Sequence, residues 1–347
     1  MRFQPRILTT NTGIKQNTVN LNKWSQKKCG SVYYVDNGSF SKLRYFKELF
    51  KEVKNADLIH LNSLFSYYSI VCFLYTKLFY KNKSIVWSVR GELNPNALKY
   101  SNWKKKPVLA LYKRLNKNIT YHSTSKEETL GIQTFFPNTT VVELPNYIEP
   151  EERLKLHIEK QLLYLGRIHP IKGLEKLIEA LSLSDSFISS DFKMIIAGKH
   201  EERHESYFLK LKKQINLLNL TDKVIFKGQV EGKEKEKLYA TSYFFILPSE
   251  TENFGNVVIE SLNQGTPVLA SLGTPWSVLE DYNAGYHTSN KPENLSAIID
   301  RIIHLEPDDY FKMRENAYNF VVNNFNVHTQ IINWVSIYKN LNNENQK

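Results

Sequence analysis

The chain has 347 residues, of which 41% are hydrophobic and 23% are charged, a balance that excludes a disordered or fibrous protein. Its two cysteines are too few for a disulfide framework or a cysteine-rich metal cluster. The length suits two domains of ordinary size, and we expect no signal peptide because the first residues lack an apolar core. The longest uncharged stretch, 58–76, contains His60, Asn62 and several serines, which favours a buried strand and helix over a membrane span.

Positive charge is concentrated in the first half of the chain. Residues 1–150 contain 23 Lys and Arg against 9 Asp and Glu, whereas the remainder contains 23 against 26. This asymmetry favours an anionic partner for the first half, such as a membrane surface, a lipid phosphate or a nucleic acid. The motif signatures of nucleic-acid-binding proteins are absent from the sequence, so we expect no nucleic-acid partner.

Short apolar runs alternate with amphipathic stretches, which predicts α/β architecture with parallel sheets covered by helices on both faces. The predicted strands are 6–10, 31–35, 58–61, 84–88, 119–122, 141–144, 161–165, 192–197, 224–226, 243–247 and 268–270. The predicted helices are 66–80, 172–183, 202–218, 231–240 and 255–263, with two more after Pro307. Prolines bound the segment 145–150, which is the predicted domain boundary.

The most informative segment follows the predicted strand 243–247. Gly255 is predicted to begin a helix, so Glu252 lies before the helix and Glu260 lies inside it, roughly 8 Å from the helix mouth. The first N–H groups of a helix are unpaired and carry partial positive charge, so they can bind a diphosphate. The two carboxylates can accept hydrogen bonds from sugar and ribose hydroxyls. A capped helix with two solvated glutamates is the simpler alternative.

A second motif, Gly166-Arg167 followed by Lys172-Gly173, joins the predicted strand 161–165 to the next helix. Two cations at a strand-to-helix turn can clamp a diphosphate and stabilise it as it leaves. Either cation alone is more simply explained as a surface charge beside a turn.

Together these motifs resemble the retaining family 4 glycosyltransferases, whose GT-B fold has two Rossmann-like domains with parallel sheets facing a cleft. The resemblance implies that Arg167 and Lys172 bind the donor diphosphate, that Glu252 contacts the sugar and that Glu260 contacts the ribose. The first three would be the catalytic residues. Further donor-binding positions implied by the resemblance are Gly166, Phe254, Gly255 and Asn256.

The first half resembles the acceptor domain of the branch that builds bacterial cell-surface polysaccharides. The matching positions are acceptor-side candidates: His60 and His122 lie near the ends of predicted strands, and Arg90 follows one. For both histidines, a packed residue at a strand end is the more common role. The implied domains are 1–147 for the acceptor, 148–330 for the nucleotide sugar, and 331–347 as a helix packing back toward the first domain, followed by a tail.

One departure concerns the start of the chain. Family members begin with a strand and a Gly-rich loop that contacts the donor phosphates, whereas 6–13 resembles the family's second strand and the loop after it. We therefore expect an incomplete first domain with an exposed sheet edge, and this puts the activity of this exact chain in doubt.

The resemblance implies retaining, metal-independent transfer from a nucleotide sugar, with no cofactor. The expected acceptor is a growing glycan or a polyprenyl-diphosphate-linked sugar in capsule, O-antigen, lipopolysaccharide or exopolysaccharide synthesis. The expected location is the cytoplasm, with peripheral contact at the inner membrane face through the basic half. Two alternatives stay open: a non-catalytic GT-B subunit that binds a partner or membrane, and a nucleotide-sugar epimerase.

Overall fold

The computed structural model describes residues 3–14, 18–94, 98 and 102–344. Strands and helices alternate along these ranges, as the sequence predicts. The strands are β1 (Arg6–Thr10), β2 (Trp24–Lys27), β3 (Gly30–Val35), β4 (Leu58–Asn62), β5 (Ser84–Ser88), β6 (Ile119–Ser123), β7 (Thr140–Glu143), β8 (Gln161–Leu165), β9 (Lys193–Ala197), β10 (Val224–Gly228), β11 (Phe244–Leu247), β12 (Val268–Ser271) and β13 (Gly285–Thr288). The helices are α1 (Ser41–Asn55), α2 (Tyr67–Phe79), α3 (Asn102–Arg114), α4 (Lys126–Phe135), α5 (Leu174–Leu183), α6 (Asp185–Ser189), α7 (Glu205–Leu217), α8 (Gly232–Thr241), α9 (Asn256–Asn263), α10 (Val278–Asp281), α11 (Pro292–Ile303), α12 (Pro307–Asn324) and α13 (Val327–Glu344).

The second half forms a six-stranded sheet in the order β10-β9-β8-β11-β12-β13, with every neighbouring pair parallel. The residues of β8 and β11 are buried throughout, as expected for parallel strands covered on both faces. The chain runs outward from β8 to β10 and then returns to place β11 on the other side of β8. The strand order thus reverses between β8 and β11, and open α/β sheets bind ligands beyond the carboxyl ends of the strands at such a reversal.

The first half is divided into two sheets. One contains four parallel strands in the order β4-β5-β6-β7, and the other has the order β1-β3-β2, with β2 antiparallel. Within the described ranges no ladder joins the two sheets, so β1 and β4 are each paired on one side only. The sequence reading missed β2 and β13, because neither segment is a continuous apolar run.

Each half has its own hydrophobic core. The members of one cluster come from the sequence range 33–136, and those of the other come from 162–325. Local signals agree with the helix boundaries: Ser125 caps α4 by accepting a hydrogen bond from the Glu128 amide, and α11 and α12 each begin with a proline. Two cores over two parallel sheets are the expected arrangement of two Rossmann-like units.

The chain crosses between the halves at two adjacent places. Ile148 donates its amide to the Phe325 carbonyl and accepts at its own carbonyl from the Val327 amide, both at 2.9 Å. After this second crossing α13 returns to the first half, where the Tyr338 hydroxyl lies 2.7 Å from His60 Nδ1. The predicted domain limits themselves stay a prediction. No helix within the described part of the chain is long and apolar enough to cross a bilayer.

Candidate active site

The carboxyl ends of β8 and β11 bring the two sequence motifs together. Arg167 and Lys172 follow β8, and Glu252 follows β11. The two connections touch directly, since the Glu250 amide donates to the Ile171 carbonyl at 2.8 Å. Gly173 has φ 65°, and a Cβ at that position would lie 2.4 Å from the Pro248 carbonyl oxygen. Glycine is therefore needed for this close approach of the two loops.

Lys172 and Glu252 form an ion pair at this junction. Their side chains are only 15% and 12% exposed, and Lys172 Nζ contacts Glu252 Oε1. The same carboxylate oxygen accepts a hydrogen bond of 2.9 Å from Ser249 Oγ. Because both charged groups are largely withdrawn from water, each depends on the other for stabilisation. The pair places one cation and one carboxylate where a ligand of an open α/β sheet binds.

Glu260 is held on α9 by two side chains from α8. Lys235 Nζ lies 2.8 Å from one carboxylate oxygen, and the Tyr239 hydroxyl donates to the other at 3.1 Å. Burial and the Glu260 carboxylate raise the pKa of the Tyr239 phenol well above its usual value. Glu260 therefore lies within α9 and not before its first residue, as the sequence predicts, and its carboxylate is held in place by α8.

The mouth of α9 is fixed by its preceding residues. Gly255 adopts φ 81° as the residue before the helix, a left-handed conformation that favours glycine. Phe254 is buried against Trp276, with ring centroids 5.1 Å apart, and Trp276 Nε1 donates to the Phe254 carbonyl at 2.5 Å. The Val258 amide of the first turn donates to the Gly255 carbonyl at 2.9 Å, whereas helix geometry gives the Asn256 and Val257 amides no acceptor within α9, so this end can bind an anion.

Arg167 lies apart from this pair. Its side chain is 65% exposed, and its guanidinium is 3.6 Å from Glu201, which also pairs with Arg203. Only its backbone is fixed near the pocket, because the Tyr164 hydroxyl donates to the Arg167 carbonyl at 2.8 Å. A Cβ on Gly166 would lie 2.9 Å from that same hydroxyl, so a larger side chain there would disturb it. The structure brings Lys172, but not Arg167, to Glu252.

The two halves meet across the site. Asn94 Nδ2 donates to Thr251 Oγ1 at 2.9 Å, and Asn146 Nδ2 donates to Asn256 Oδ1 at 2.8 Å. Gly91 packs directly against Asn253, and a Cβ on Gly91 would lie 2.9 Å from the Asn253 Cβ. The first half therefore covers the loop that carries Glu252 and the first residue of α9.

Arg90 is the cation that the first half places at this junction. It has φ 59°, an uncommon backbone conformation for a residue other than glycine. Its guanidinium donates to Asn62 Oδ1 at 3.0 and 3.2 Å and to Asn146 Oδ1 at 2.9 Å. Asn146 in turn contacts Asn256, so a single side chain separates Arg90 from the start of α9.

His60 and His122 belong to one buried polar chain. His122 Nε2 lies 2.9 Å from the Leu144 carbonyl, which can only accept, so this nitrogen carries a proton. Burial lowers the pKa of His122 to about 4 and of His60 to about 3, so both rings are neutral near pH 7. His122 Nδ1 must then accept from Ser88 Oγ, at 2.7 Å.

The remaining directions follow from that assignment. The one hydroxyl hydrogen of Ser88 is already donated, so Ser88 Oγ accepts from His60 Nε2 at 2.8 Å. His60 Nδ1 accepts from the Tyr338 hydroxyl at 2.7 Å. Trp334 packs against both rings, at centroid distances of 5.2 and 4.6 Å. This geometry fits the packed-histidine alternative and ties α13 to the first half.

Comparison with known proteins identifies the second half. The model of the family "Glycosyl transferases group 1" matches residues 148–320. Residues 148–320 therefore belong to the glycosyl transferases group 1 family. The predicted family resemblance is thereby confirmed, and the matched range contains both motifs of the site.

Curated relatives agree with the family match. The chain is 31% identical over 147 residues to an uncharacterized glycosyltransferase of Methanocaldococcus jannaschii, covering 42% of this chain and 36% of that protein. It is 30% identical over 200 residues to the alpha-monoglucosyldiacylglycerol synthase of Streptococcus pneumoniae, covering 54% of this chain and 44% of that protein. The matched segments thus span less than half of these two relatives.

Solved structures share the fold over a larger part of the chain. HepE of Anabaena, solved in complex with UDP and glucose, aligns with a TM-score of 0.71 and 20% identity over 88% of this chain and 86% of its own. At that identity the likeness shows the fold alone. The predicted GT-B architecture of two Rossmann-like domains is confirmed.

Several residues of the site were missed by sequence reasoning. The sequence motifs do not single out Ser249, although its hydroxyl donates a hydrogen bond to Glu252. Lys235 and Tyr239 are four residues apart on one helix, a spacing that places them on one face. Their pairing with Glu260 was not predictable, because it depends on how α8 packs beside α9. Asn146 lies in the segment 145–150, which the sequence predicts only as a domain boundary.

Proposed function

We propose that this protein transfers a sugar from a nucleotide diphosphate sugar to a glycan or lipid-linked acceptor, with retention at the anomeric carbon. The observation that carries the proposal is the largely buried Lys172–Glu252 pair at the carboxyl ends of β8 and β11, beside the mouth of α9. A cation and a helix N-terminus suit a departing diphosphate, because both stabilise negative charge that develops there. A carboxylate at the same place suits the hydroxyls of a sugar.

In this mechanism each charged group has a separate task. Lys172 stabilises the leaving diphosphate, and Arg167 joins it by exchanging its exposed contact with Glu201 for a phosphate oxygen. Glu252 accepts hydrogen bonds from the transferred sugar, and Glu260 accepts them from the ribose. These two cations and the α9 terminus neutralise the diphosphate, so the proposal invokes no metal ion and no cofactor. The HepE complex with UDP and glucose supports a nucleotide-sugar pocket in this fold.

The acceptor side is proposed to lie on the basic first half, next to Arg90. A polyprenyl-diphosphate-linked glycan fits this half, because its diphosphate would be attracted by the excess of Lys and Arg. A relative named for making a glucosylated diacylglycerol supports a lipid-borne acceptor. We place the reaction in capsule, O-antigen or exopolysaccharide synthesis, at the cytoplasmic face of the membrane.

A donor screen with matched variants tests the transfer. Purified protein would be incubated with UDP-, GDP- and TDP-sugars, and nucleotide release and sugar transfer would be measured for the wild type, Lys172→Gln and Lys176→Gln. Lys176 provides the control, because it also pairs with a glutamate of the β11 loop, at 2.5 Å, but is 34% exposed. We expect Lys172→Gln to lower kcat by about 10²–10³-fold. Lys176→Gln should change it by less than about threefold, since exposed ion pairs contribute little.

The same screen separates the alternatives. Unchanged transfer by Lys172→Gln would contradict the assigned role of the pair. Donor binding without release or transfer would instead support a non-catalytic GT-B subunit. Conversion of the donor sugar without any acceptor would support an epimerase. The anomeric configuration of the product, read by NMR, tests retention.

A further inference from the structure

Helix α2 presents an apolar stripe to solvent. Tyr67, Leu74 and Leu78 occupy one face of the helix, because they are separated by seven and four residues. They are 55%, 38% and 67% exposed, and Phe79 at the end of the helix is 61% exposed. Lys77 is the one charged residue of α2, and its side chain is buried with Nζ on the Lys117 carbonyl. The outer face of α2 is therefore an apolar surface of several contiguous turns.

Helix α1 packs beside α2 through aromatic rings. Phe46 contacts Tyr67 with centroids 5.5 Å apart, and Phe50 contacts Tyr75 at 4.3 Å. Lys42 lies 5.8 Å from the Tyr67 ring, so the basic side chains of α1 adjoin the apolar stripe. We call this combined surface of Lys42, Leu43, Lys47, Lys51, Lys54, Tyr67, Leu74, Leu78 and Phe79 the α1–α2 face.

The charges of α1 are sorted by direction. Lys47, Lys51 and Lys54 are exposed and share one side of the helix, at a spacing of four and three residues. The two acidic residues point the other way: Glu52 pairs with Arg6, and Glu48 accepts from Trp24 Nε1 at 3.4 Å.

Arg44 is paired with Asp36, at 2.7 Å. The outward charges of α1 are therefore its lysines. An apolar stripe bordered by lysines is complementary to an anionic lipid surface, where apolar side chains enter the interface and lysines stay at the headgroups.

The α1–α2 face also adjoins the site. α2 begins shortly after β4, whose last residue, Asn62, accepts two of the hydrogen bonds that Arg90 donates. The Tyr67 end of the face is thus the end nearer to the cleft.

We propose that the α1–α2 face docks this protein on an anionic lipid bilayer. The proposal rests on the proposed function in one respect: a lipid-linked acceptor in that bilayer would present its head group to the Arg90 side of the cleft. Docking itself requires neither donor nor acceptor. Leu74 and Leu78 supply apolar contact, and Lys47, Lys51 and Lys54 supply attraction to acidic headgroups.

Vesicle flotation without donor or acceptor tests the docking. Wild-type protein should float with vesicles of phosphatidylglycerol and phosphatidylcholine and remain behind with pure phosphatidylcholine. Added salt should release it, because screening weakens attraction to the charged surface. The triple variant Lys47→Gln/Lys51→Gln/Lys54→Gln should lose about a hundredfold in partitioning, roughly fivefold for each lysine. Leu74→Ser/Leu78→Ser should lose at least about tenfold.

Helix α7 supplies matched controls in the other half. It carries exposed Lys210, Lys212 and Lys213 and two exposed leucines, Leu209 and Leu217. The same substitutions at these positions should leave vesicle binding unchanged, and thermal unfolding should show that all variants are folded.

Three results of the vesicle experiment would overturn the proposal: wild-type binding that does not depend on lipid charge, variants of the α1–α2 face that float like the wild type, or equal losses in the α7 variants. A wild-type dimer that Leu74→Ser/Leu78→Ser dissociates, with no vesicle binding, would assign the face to a second copy and also overturn it. Donor hydrolysis in solution separates this test from that of the proposed function. Variants of the α1–α2 face should hydrolyse donor at the wild-type rate. Failure of hydrolysis in the wild type would count against the transferase alone.

Discussion

The two halves of this molecule organise their polar groups differently. In the second half, one continuous sheet places Lys172, Glu252 and the start of α9 at a single reversal of strand order. In the first half, the sheet is divided, and its polar chain is closed by Tyr338 from the far end of the sequence. The proposed donor side is thus built from neighbouring βα connections, whereas the proposed acceptor side depends on long-range contacts. The first kind of site is readable from sequence, and the second is much less so.

A buried arginine in the second half gives the largest expected effect on stability. Arg314 is 3% exposed, and its guanidinium donates to the carbonyls of Ser242, Ala240 and Gln264 and contacts the Tyr310 hydroxyl. Replacing it with Met would leave these buried acceptors unsatisfied. We expect Arg314→Met to lower the free energy of unfolding by about 3–5 kcal/mol, measured by urea titration.

Arg301→Met is the matched control for that prediction. Arg301 is exposed and lies over the Tyr286 ring at 4.8 Å, in the same half of the molecule. Its replacement should cost less than about 1 kcal/mol, because an exposed cation–π contact contributes little. Equal effects of the two substitutions would show that the buried guanidinium does not organise this half.

The histidine chain gives the first half a distinct response to acid. Burial lowers the pKa of His60 to about 3, with His122 and Arg90 adding to the shift, and burial lowers that of His122 to about 4. Both histidines titrate near 6.5 when unfolded, so below that pH the unfolded state binds more protons and folding is disfavoured. Stability should be complete above about pH 6.5 and fall toward pH 4, by up to about 1.4 kcal/mol per pH unit for each histidine.

Urea unfolding followed by tryptophan fluorescence at several pH values measures this effect, since Trp334 packs on both rings. The variant His60→Gln/His122→Gln should have a shallower acid dependence, whatever its stability at pH 7. His328→Gln is the control, because that ring is exposed on α13, with its side chain 66% exposed. An unchanged slope in the double variant would refute the assignment of neutral buried rings.

The contrast between the halves also explains what the sequence could predict. Long apolar runs such as those of β8 and β11 identify buried parallel strands, and the glycine before α9 marks a helix start. These are local signals, so the fold and the positions of the loops that carry Lys172 and Glu252 could be predicted from the sequence. The ion pair of Arg167 with Glu201 and the hydrogen bond between the Tyr338 hydroxyl and His60 depend on tertiary packing, which local sequence patterns do not predict. β2 was missed because strand pairing at a sheet edge leaves little apolar pattern.

The joint between the halves offers a smaller and more specific test. Gly91 has φ 74°, and an added Cβ would lie 2.9 Å from that of Asn253, next to Glu252. Gly91→Ala should therefore displace the β11 loop from the first half and lower kcat/KM by about 10–100-fold, since small misplacements are costly in transfer reactions. Gly131→Ala is the control, because Gly131 lies within α4 and an added Cβ there meets no atom within 4 Å. A fall in kcat/KM with unchanged urea unfolding would show that the two halves must close on each other for transfer, whereas equal activity of both variants would show that the halves act independently.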